Sequence, residues 1–367
     1  MGRRQIFAAH FLDRGGMTKA AQAGPRPDTE YILPLRWTED SGMEELAEYI
    51  AELCTWTPVT VVDGSPAPLF ARHRTLFPPS VRHIPPKPND GGSGGGNGKV
   101  AAVLTAVRLS RAERLVIADD DVRYTREGLA AAFAALDDAE LVRPQNYFTP
   151  LPWHARWDTS RTLINRAFGG DYPGTLAVRR SALAATDGYA GVLFENLELI
   201  RTVTAAGGRE KQMPALLVAR RPPTARHFFR QRIRQAYDDF AQPARLFAEL
   251  AVLPVLAVVL AQRRVPRALV VLALAGTAVG IAERGRRRDG GRAAFPPSTA
   301  WFAPLWLFER AVCIWMALAL RAGGGVPYAG VRIKTAAHSP AALRLRHQGK
   351  IRPVQKAHNQ NGTQHGS

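Results

Sequence analysis

Leu115-Val-Ile-Ala-Asp-Asp-Asp-Val-Arg-Tyr124 is the stretch whose reading decides the fold. An apolar run containing Val and Ile has the signature of a buried strand, and it stops abruptly at three consecutive carboxylates. Adjacent carboxylates repel one another, so a fold that gathers them at a strand end usually places a cation there. In an extended segment Asp119 and Asp121 point to one side and Asp120 to the other. An Asp-x-Asp pair at the carboxyl end of a strand is a site for Mg²⁺ or Mn²⁺, which accept carboxylate and phosphate oxygens together. The alternative is a solvated acidic turn ahead of a helix starting near Thr125, whose N-terminus the Asp residues would favour.

Upstream, the same grammar repeats. Tyr31 to Leu35 reads as a first strand, and Ser41 to Leu53 as a helix with a Ser cap and Glu44 completing a capping box. Val59 to Val62 reads as a second strand, ending at Asp63-Gly64-Ser65. Strand, helix, strand and acidic turn predict a parallel α/β sheet with ligands at the carboxyl ends of its strands. Pro85 to Gly98 is rich in Pro, Gly and Asn, and it leads into Lys99 and an apolar helix from Val100 to Leu109. It reads either as a linker or as a flexible loop carrying a lysine beside a nucleotide pocket.

Downstream, a helix is expected from about Thr125 to Leu136, then strands at Glu140–Arg143, Thr175–Arg179 and Ala215–Ala219. Asn146 to Gly174 is crowded with aromatic residues, which suit sugar faces as well as ordinary packing. Phe194-Glu195-Asn196-Leu197-Glu198 opens a further helix. From His227 to Phe240 the period turns helical, with Phe229, Ile233, Ala236, Tyr237 and Phe240 on one face and Arg226, Arg230 and Arg234 beside it. Such a helix lies in a membrane interface or packs on its own domain. Apolar segments follow at about 246–261, 268–282 and 300–320, of which only the last has the length of a bilayer span. Glu309-Arg310 inside it is costly in lipid unless paired or facing protein.

The formal charge is +18 over 367 residues, which points to nucleic acid, anionic lipid or a phosphorylated substrate. Arginines gather between Arg209 and Arg292 around the apolar segments, which suits an anionic membrane and disfavours a nucleic-acid groove. The basic cluster at 284–292 places that loop in the cytoplasm. Cys54 and Cys313 are far apart in apolar contexts, so no disulfide framework is expected and a reducing compartment is the default. The Ile6–Leu12 run, interrupted by His10, is too short for a signal peptide. The expected organisation is a flexible arm over 1–28, a catalytic domain over 29–225, an amphipathic interfacial helix over 226–243, membrane helices over 244–322 and a basic, mostly disordered tail over 323–367.

Taken together, Val-Val-Asp63-Gly-Ser, Asn97-Gly-Lys99, Asp119-Asp-Asp121, Gly174-Thr-Leu-Ala-Val-Arg-Arg180, Gly188-Tyr…Phe-Glu195-Asn-Leu-Glu-Leu and Gln231-Arg-Ile-Arg234-Gln form an ordered set. The set resembles the inverting glycosyltransferases of family 2, in their membrane-bound, ceramide-glucosyltransferase-like branch. It spans roughly residues 30–240. The resemblance implies a GT-A (Rossmann-like) nucleotide-sugar-binding domain with a mixed, mostly parallel sheet, followed by membrane-associated helices. It implies that Asp63, Lys99 and Asp120 lie on the nucleotide of a nucleotide-diphosphate sugar, a UDP-sugar by preference. Asp119 and Asp121 would hold Mg²⁺ or Mn²⁺, and Gln231 and Arg234 would lie near acceptor and diphosphate.

Two positions depart from the pattern. Asn196 stands where the family has the Asp that deprotonates the acceptor, and an amide cannot accept that proton. Glu195 is the favoured substitute, with Glu198 or loss of activity as alternatives. Gln235 stands where members often carry Trp, which weakens the case for a processive polysaccharide synthase. The expected function is hexosyl transfer to a lipid or membrane-proximal acceptor at the cell membrane, with the catalytic domain cytoplasmic. The alternative is a catalytically silent relative that binds nucleotide sugar or scaffolds a membrane assembly.

Overall fold

The computed structural model describes residues 28–40, 42–87, 97–262, 266–328 and 331–351. The expected N-terminal arm, the Ser41 cap, the Gly-rich centre of the 85–98 segment, the Arg263-Arg264 joint and the end of the tail lie outside the described residues. The chain opens with β1 (Thr29–Leu35), α1 (Met43–Cys54) and β2 (Val59–Asp63), as the pattern predicts. Helix α2 (Ala67–Leu76) and strand β3 (Arg82–Ile84) were not anticipated, because basic and apolar residues alternate there without a clear stripe. Helix α3 (Gly98–Leu109) starts at Asn97, whose side chain accepts the Lys99 N–H at 3.0 Å and fixes the lysine at the first turn.

Strand β4 (Arg114–Ala118) is the apolar half of the deciding stretch, and a two-residue strand β5 (Val122–Arg123) follows the three Asp. Next come α4 (Arg126–Ala135), capped by Thr125, and β6 (Leu141–Phe148). The aromatic stretch folds as α5 (Trp153–Ala167), a helix that its polar composition concealed. It is followed by β7 (Thr175–Arg179), α6 (Arg180–Ala185), α7 (Glu195–Ala205) and β8 (Glu210–Arg220). β8 begins five residues earlier than its apolar half suggested, at Glu210 rather than Ala215.

Eight strands form one mixed sheet in the order β3-β2-β1-β4-β7-β6-β8-β5. The β3–β2, β2–β1, β1–β4 and β6–β8 pairs are parallel, and β7 runs antiparallel between β4 and β6. Alternation along β4 sends Val116 and Ala118 to one apolar core and Leu115 and Ile117 to the other, so both faces are covered. The carboxyl end of this doubly buried strand delivers Asp119 to the surface of the sheet. The expected α/β class, mixed sheet and long C-terminal apolar helices are all present.

The chain then leaves the sheet through α8 (Ala225–Tyr237) and continues into α9 (Pro243–Ala261), α10 (Arg267–Arg287) and α11 (Ala303–Ala322). Three apolar segments are long enough to cross a membrane, at Pro243–Ala261, Arg267–Arg287 and Pro297–Ala322. The first two are longer as helices than as apolar runs, and 19 residues of α9 reach about 28 Å, close to the ~30 Å of a bilayer core. Helix α8 packs on its own domain: Phe228 and Tyr237 are buried, while Phe229 stays outward. Glu309 and Arg310 are both paired with protein. Arg232 reaches Glu309 at 3.3 Å and Asp158 at 3.0 Å, while Arg310, 1% exposed, meets Asp239 at 3.2 Å. On the other side, Gly285 of α10 lies against the backbone of α5, where Arg166 donates to the carbonyls of Gly285 and Arg288 at 3.2 and 2.6 Å.

The tail differs from expectation over its described part. β9 (Val326–Tyr328) and β10 (Val331–Ile333) form a hairpin, and α12 (Pro340–His347) packs against α7. Backbone bonds from Leu193 to Thr335 (3.2 Å), Phe194 to Ala336 (2.8 Å) and Ile351 to Ala206 (2.9 Å) strap it onto the domain. Its basic, low-aromatic composition gave no warning, because the apolar side chains it buries, Val326, Ile333, Leu343 and Ile351, are scattered among basic residues.

Candidate active site

Asp119 is fixed by its own backbone: its N–H donates to the Gly174 carbonyl at 2.8 Å. A side chain at Gly174 would bring a Cβ to 2.6 Å from Asp119 Oδ2, so only glycine allows this approach. Asp119 Oδ1 meets Lys99 Nζ at 2.5 Å, and the same ammonium reaches Glu195 Oε1 at 2.7 Å. Burial opposes the Lys99 charge, but Asp119 and Glu195 outweigh it and raise the ammonium's pKa. Arg220, at the end of β8, donates to Asp119 Oδ2 at 3.2 Å and to Asp121 Oδ2 at 2.7 Å. Burial raises the Asp119 carboxyl, yet Lys99 and Arg220 prevail and leave it below the ordinary range. At Asp121 burial wins over Arg220 and pushes the carboxyl up to about 6.

Asp119–Asp121 form a turn closed by the Val122 N–H on the Asp119 carbonyl at 3.1 Å, and Asp120 accepts the Trp37 indole N–H. Burial raises its carboxyl. The three Asp are therefore not a solvated turn, since each carboxylate is engaged by protein. Asp121 Oδ1 is the exception: it is buried with no partner among the described residues. Two carboxylates from one strand end, one with an unmatched buried oxygen, are a donor set that Mg²⁺ or Mn²⁺ uses when phosphates supply the rest. No group of three or more His, Cys, Asp or Glu forms a self-sufficient metal site among the described residues.

Asp119 lines two cavities. One, about 300 Å³, is bounded by Leu35, Arg36, Gly64, Gly98, Lys99, Asp120 and Tyr328. The other, about 190 Å³, is far more polar and includes Tyr172, Glu195, Asn196, Arg220, Gln231, Arg234 and Asp238. The expected residues Lys99, Asp119, Asp120, Glu195, Asn196, Gln231 and Arg234 are thus brought together. Asp121 lines neither cavity and is joined to the polar one through Arg220.

Asp63 is placed differently. It is 1% exposed, and its oxygens accept from Ser65 N–H at 2.8 Å and from His73 and His83 at 2.7 and 3.1 Å. These bonds, from His83 first, overcome burial and hold its carboxyl down at about 2. Neighbouring Gly64, rather than Asp63, lines the 300 Å³ cavity, and the Asp63 bond to Ser65 shapes the turn that carries it.

Arg234 stands over the Tyr328 ring at 5.2 Å, and its Nε is buried without a partner among the described residues. Burial opposes its charge, but Asp238 and Glu195 raise its pKa. Gln231 contacts His227 one turn back. Asn196 donates its amide to the Pro173 carbonyl at 3.0 Å. Glu198 is fully buried and takes the His338 N–H at 2.8 Å and its Nδ1 at 2.7 Å, which makes it a strut for the strap. The pattern reading missed Arg220, Trp37, Asp238 and Tyr328. Arg220 alone had a visible signal, a basic pair immediately after the last apolar strand.

No protein-family model matches the chain, and no curated protein matches it. Solved structures do. A mannosyltransferase from Pyrobaculum calidifontis, in complex with GDP-Man and Mn²⁺, is 20% identical, with 82% of this chain and 92% of that one covered and a TM-score of 0.49. A glucosyl-3-phosphoglycerate synthase from Mycobacterium tuberculosis, in complex with Mn²⁺, UDP and phosphoglyceric acid, is 16% identical, covering 59% and 78% at a TM-score of 0.37. TarS 1–349 from S. aureus, in complex with UDP-GlcNAc, is 14% identical, covering 82% and 95% at 0.38.

Proposed function

We propose that the chain is an inverting glycosyltransferase of GT-A type that moves a hexose from a nucleotide-diphosphate sugar, a UDP-sugar by preference, to a lipid or membrane-proximal acceptor. The supporting observation is Asp119 at the junction of two cavities, with the unpartnered Asp121 oxygen beside it. The cavity between Gly64, Lys99 and Tyr328 suits the nucleoside, and the polar cavity suits the sugar and acceptor. Asp119 and Asp121 would hold the divalent cation, which supplies Lewis-acid neutralisation of the departing diphosphate. Arg220 and Lys99 keep these carboxylates ionised and in place. Arg234, cationic and without an ion pair among the described residues, faces the chamber where negative charge develops on the leaving group.

The membrane part of the reading rests on α9 and α10, whose Phe247, Val255, Val258, Leu269, Val271 and Leu272 are exposed. It places the enzyme at the cell membrane with its sheet domain and basic loops on the cytoplasmic side. A second reading, a silent nucleotide-sugar-binding relative, is favoured by Asn196 and by the engagement of Glu195 with Lys99. The test is incubation of membranes containing the chain with a panel of UDP- and GDP-sugars plus Mn²⁺ or Mg²⁺, following released nucleotide and new glycolipid. Turnover that disappears in Asp121→Ala supports the enzyme. Nucleotide binding without turnover supports the silent relative.

A further inference from the structure

We propose that Asp238 is the general base that takes the acceptor's hydroxyl proton, an inference that rests on the glycosyl-transfer reading above. The groups on α7 are committed elsewhere: Asn196 to the Pro173 carbonyl, Glu195 to the Lys99 ammonium and Glu198 to His338. Asp239, the neighbour of Asp238, is bound by Arg245 at 3.1 Å and Arg310 at 3.2 Å. Asp238 is not so bound. It lies in the turn Asp238–Ala241 directly after α8, and it lines the polar cavity together with Asp119, Glu195, Gln231 and Arg234. Its Oδ1 is buried and has no hydrogen-bond partner among the described residues. A carboxylate oxygen left unmatched beside a chamber is unfavourable in the empty protein and is satisfied when a hydroxyl donates to it.

The surroundings suit a proton acceptor. Burial pushes the Asp238 carboxyl up to about 7, with Arg234 and Arg310 opposing and Asp239 and Glu195 adding to the shift. These charges face it from α8, from α11, from its own turn and from α7. A base with a pKa near ambient pH is the most effective compromise between availability and strength. In the reaction the acceptor oxygen forms its bond to the anomeric carbon while its proton passes to Asp238. The bond from that carbon to the diphosphate oxygen breaks, and its electron pair leaves on the nucleoside diphosphate. The proton then passes from Asp238 to solvent. The position also explains how an amide at 196 is tolerated, since the turn after α8 supplies a carboxylate to the same cavity.

The test uses the full chain in native membranes with the sugar donor that the panel identifies. Asp238→Asn should lower kcat about 10²- to 10⁴-fold, with binding of UDP or GDP plus Mn²⁺ unchanged. Asp238→Glu should restore part of the rate. Azide, a nucleophile that needs no deprotonation, should return donor turnover to Asp238→Asn as the glycosyl azide. The wild-type kcat should rise with pH through about 7, and that limb should be absent from the azide reaction of the variant. Asp238→Asn turning over near the wild-type rate overturns the inference and leaves the enzyme reading intact. Loss of nucleotide binding along with turnover also overturns it, by showing a structural role. A wild-type chain that turns over no donor removes the enzyme reading and the base with it.

Discussion

Gly285→Ala should detach α10 from the sheet domain. A Cβ at this position would lie 1.8 Å from the Leu163 carbonyl oxygen, 2.8 Å from the Leu163 carbonyl carbon and 2.9 Å from the Ala167 nitrogen. Ordinary carbon–oxygen contact begins near ~3.3 Å, so the two helices would have to part by about 1.5 Å. In an isolated helix the change would favour the variant by about 1 kcal/mol. Here it meets the backbone of α5, and overpacking of this kind costs about 1–3 kcal/mol. Separation also pulls Arg166 from the carbonyls of Gly285 and Arg288, and hydrogen bonds from a charged donor contribute about 1.5–3 kcal/mol each. The net expectation is a loss of about 3–8 kcal/mol, read as a lower thermal midpoint in detergent micelles. Gly276→Ala and Gly280→Ala supply the control, since nothing lies within 4 Å of either position on the same helix. They should be neutral or mildly stabilising. A Gly285→Ala protein as stable as these controls would refute the docking of α10 on α5.

Other outcomes follow from the same geometry. Asp121→Asn should abolish donor turnover by about 10²-fold or more, checked by nucleotide release, while the fold survives because Arg220 keeps Asp119. Arg310→Met should destabilise by about 3–5 kcal/mol, since it leaves Asp239 short of one of its two buried cations, and Arg310→Met with Asp239→Asn should recover much of the loss in chemical denaturation. The Asp63 carboxyl lies below its unfolded value, so its contribution to stability is complete above pH ~4 and is lost as pH falls toward about 2. Asp63→Asn should flatten that acid limb in a melting profile. Tyr328→Ala should raise KM for the nucleotide sugar with little change in kcat, because the ring walls the nucleoside-sized cavity away from the reacting centre.

The sheet domain was legible because its strands are buried on both faces and end in polar turns, so composition and period change together at each boundary. Asp119 could be placed from sequence because a doubly buried strand has one direction in which a carboxylate can emerge. Asp63 could be located but not oriented, because His73 and His83, ten and twenty residues further on, turn its oxygens away from the cavity. Asp238 was invisible for a related reason: in a run of Asp238-Asp239, nothing local tells which carboxylate is neutralised by Arg245 and Arg310 from helices that follow. Helix α5 was hidden by polar residues that are buried through pairing, such as Asp158 with Arg232. The strap over α7 adds backbone bonds, which carry no sequence signature, to a few isolated buried apolar residues such as Ile333 and Leu343.

That strap bears on how the chain would sit at a bilayer. Helix α9 departs beside Asp239 and Arg245, and α10 returns to α5 at Gly285. The segment Pro297–Ala322 is anchored ahead of α11 through Ser298 and Arg156, within α11 through Arg310, and the chain beyond it through Lys334 and Tyr237. A rod in contact with one body along its whole length has no far end to project. If α9 and α10 cross the lipid as a hairpin, α11 and the turn before it must recline at the water boundary, with Trp301, Leu305, Phe308, Val312 and Trp315 facing outward as a greasy keel. Ile351, the last described residue, then lies on the same side of the lipid as Asp119, which an epitope tag inserted after α12 would report.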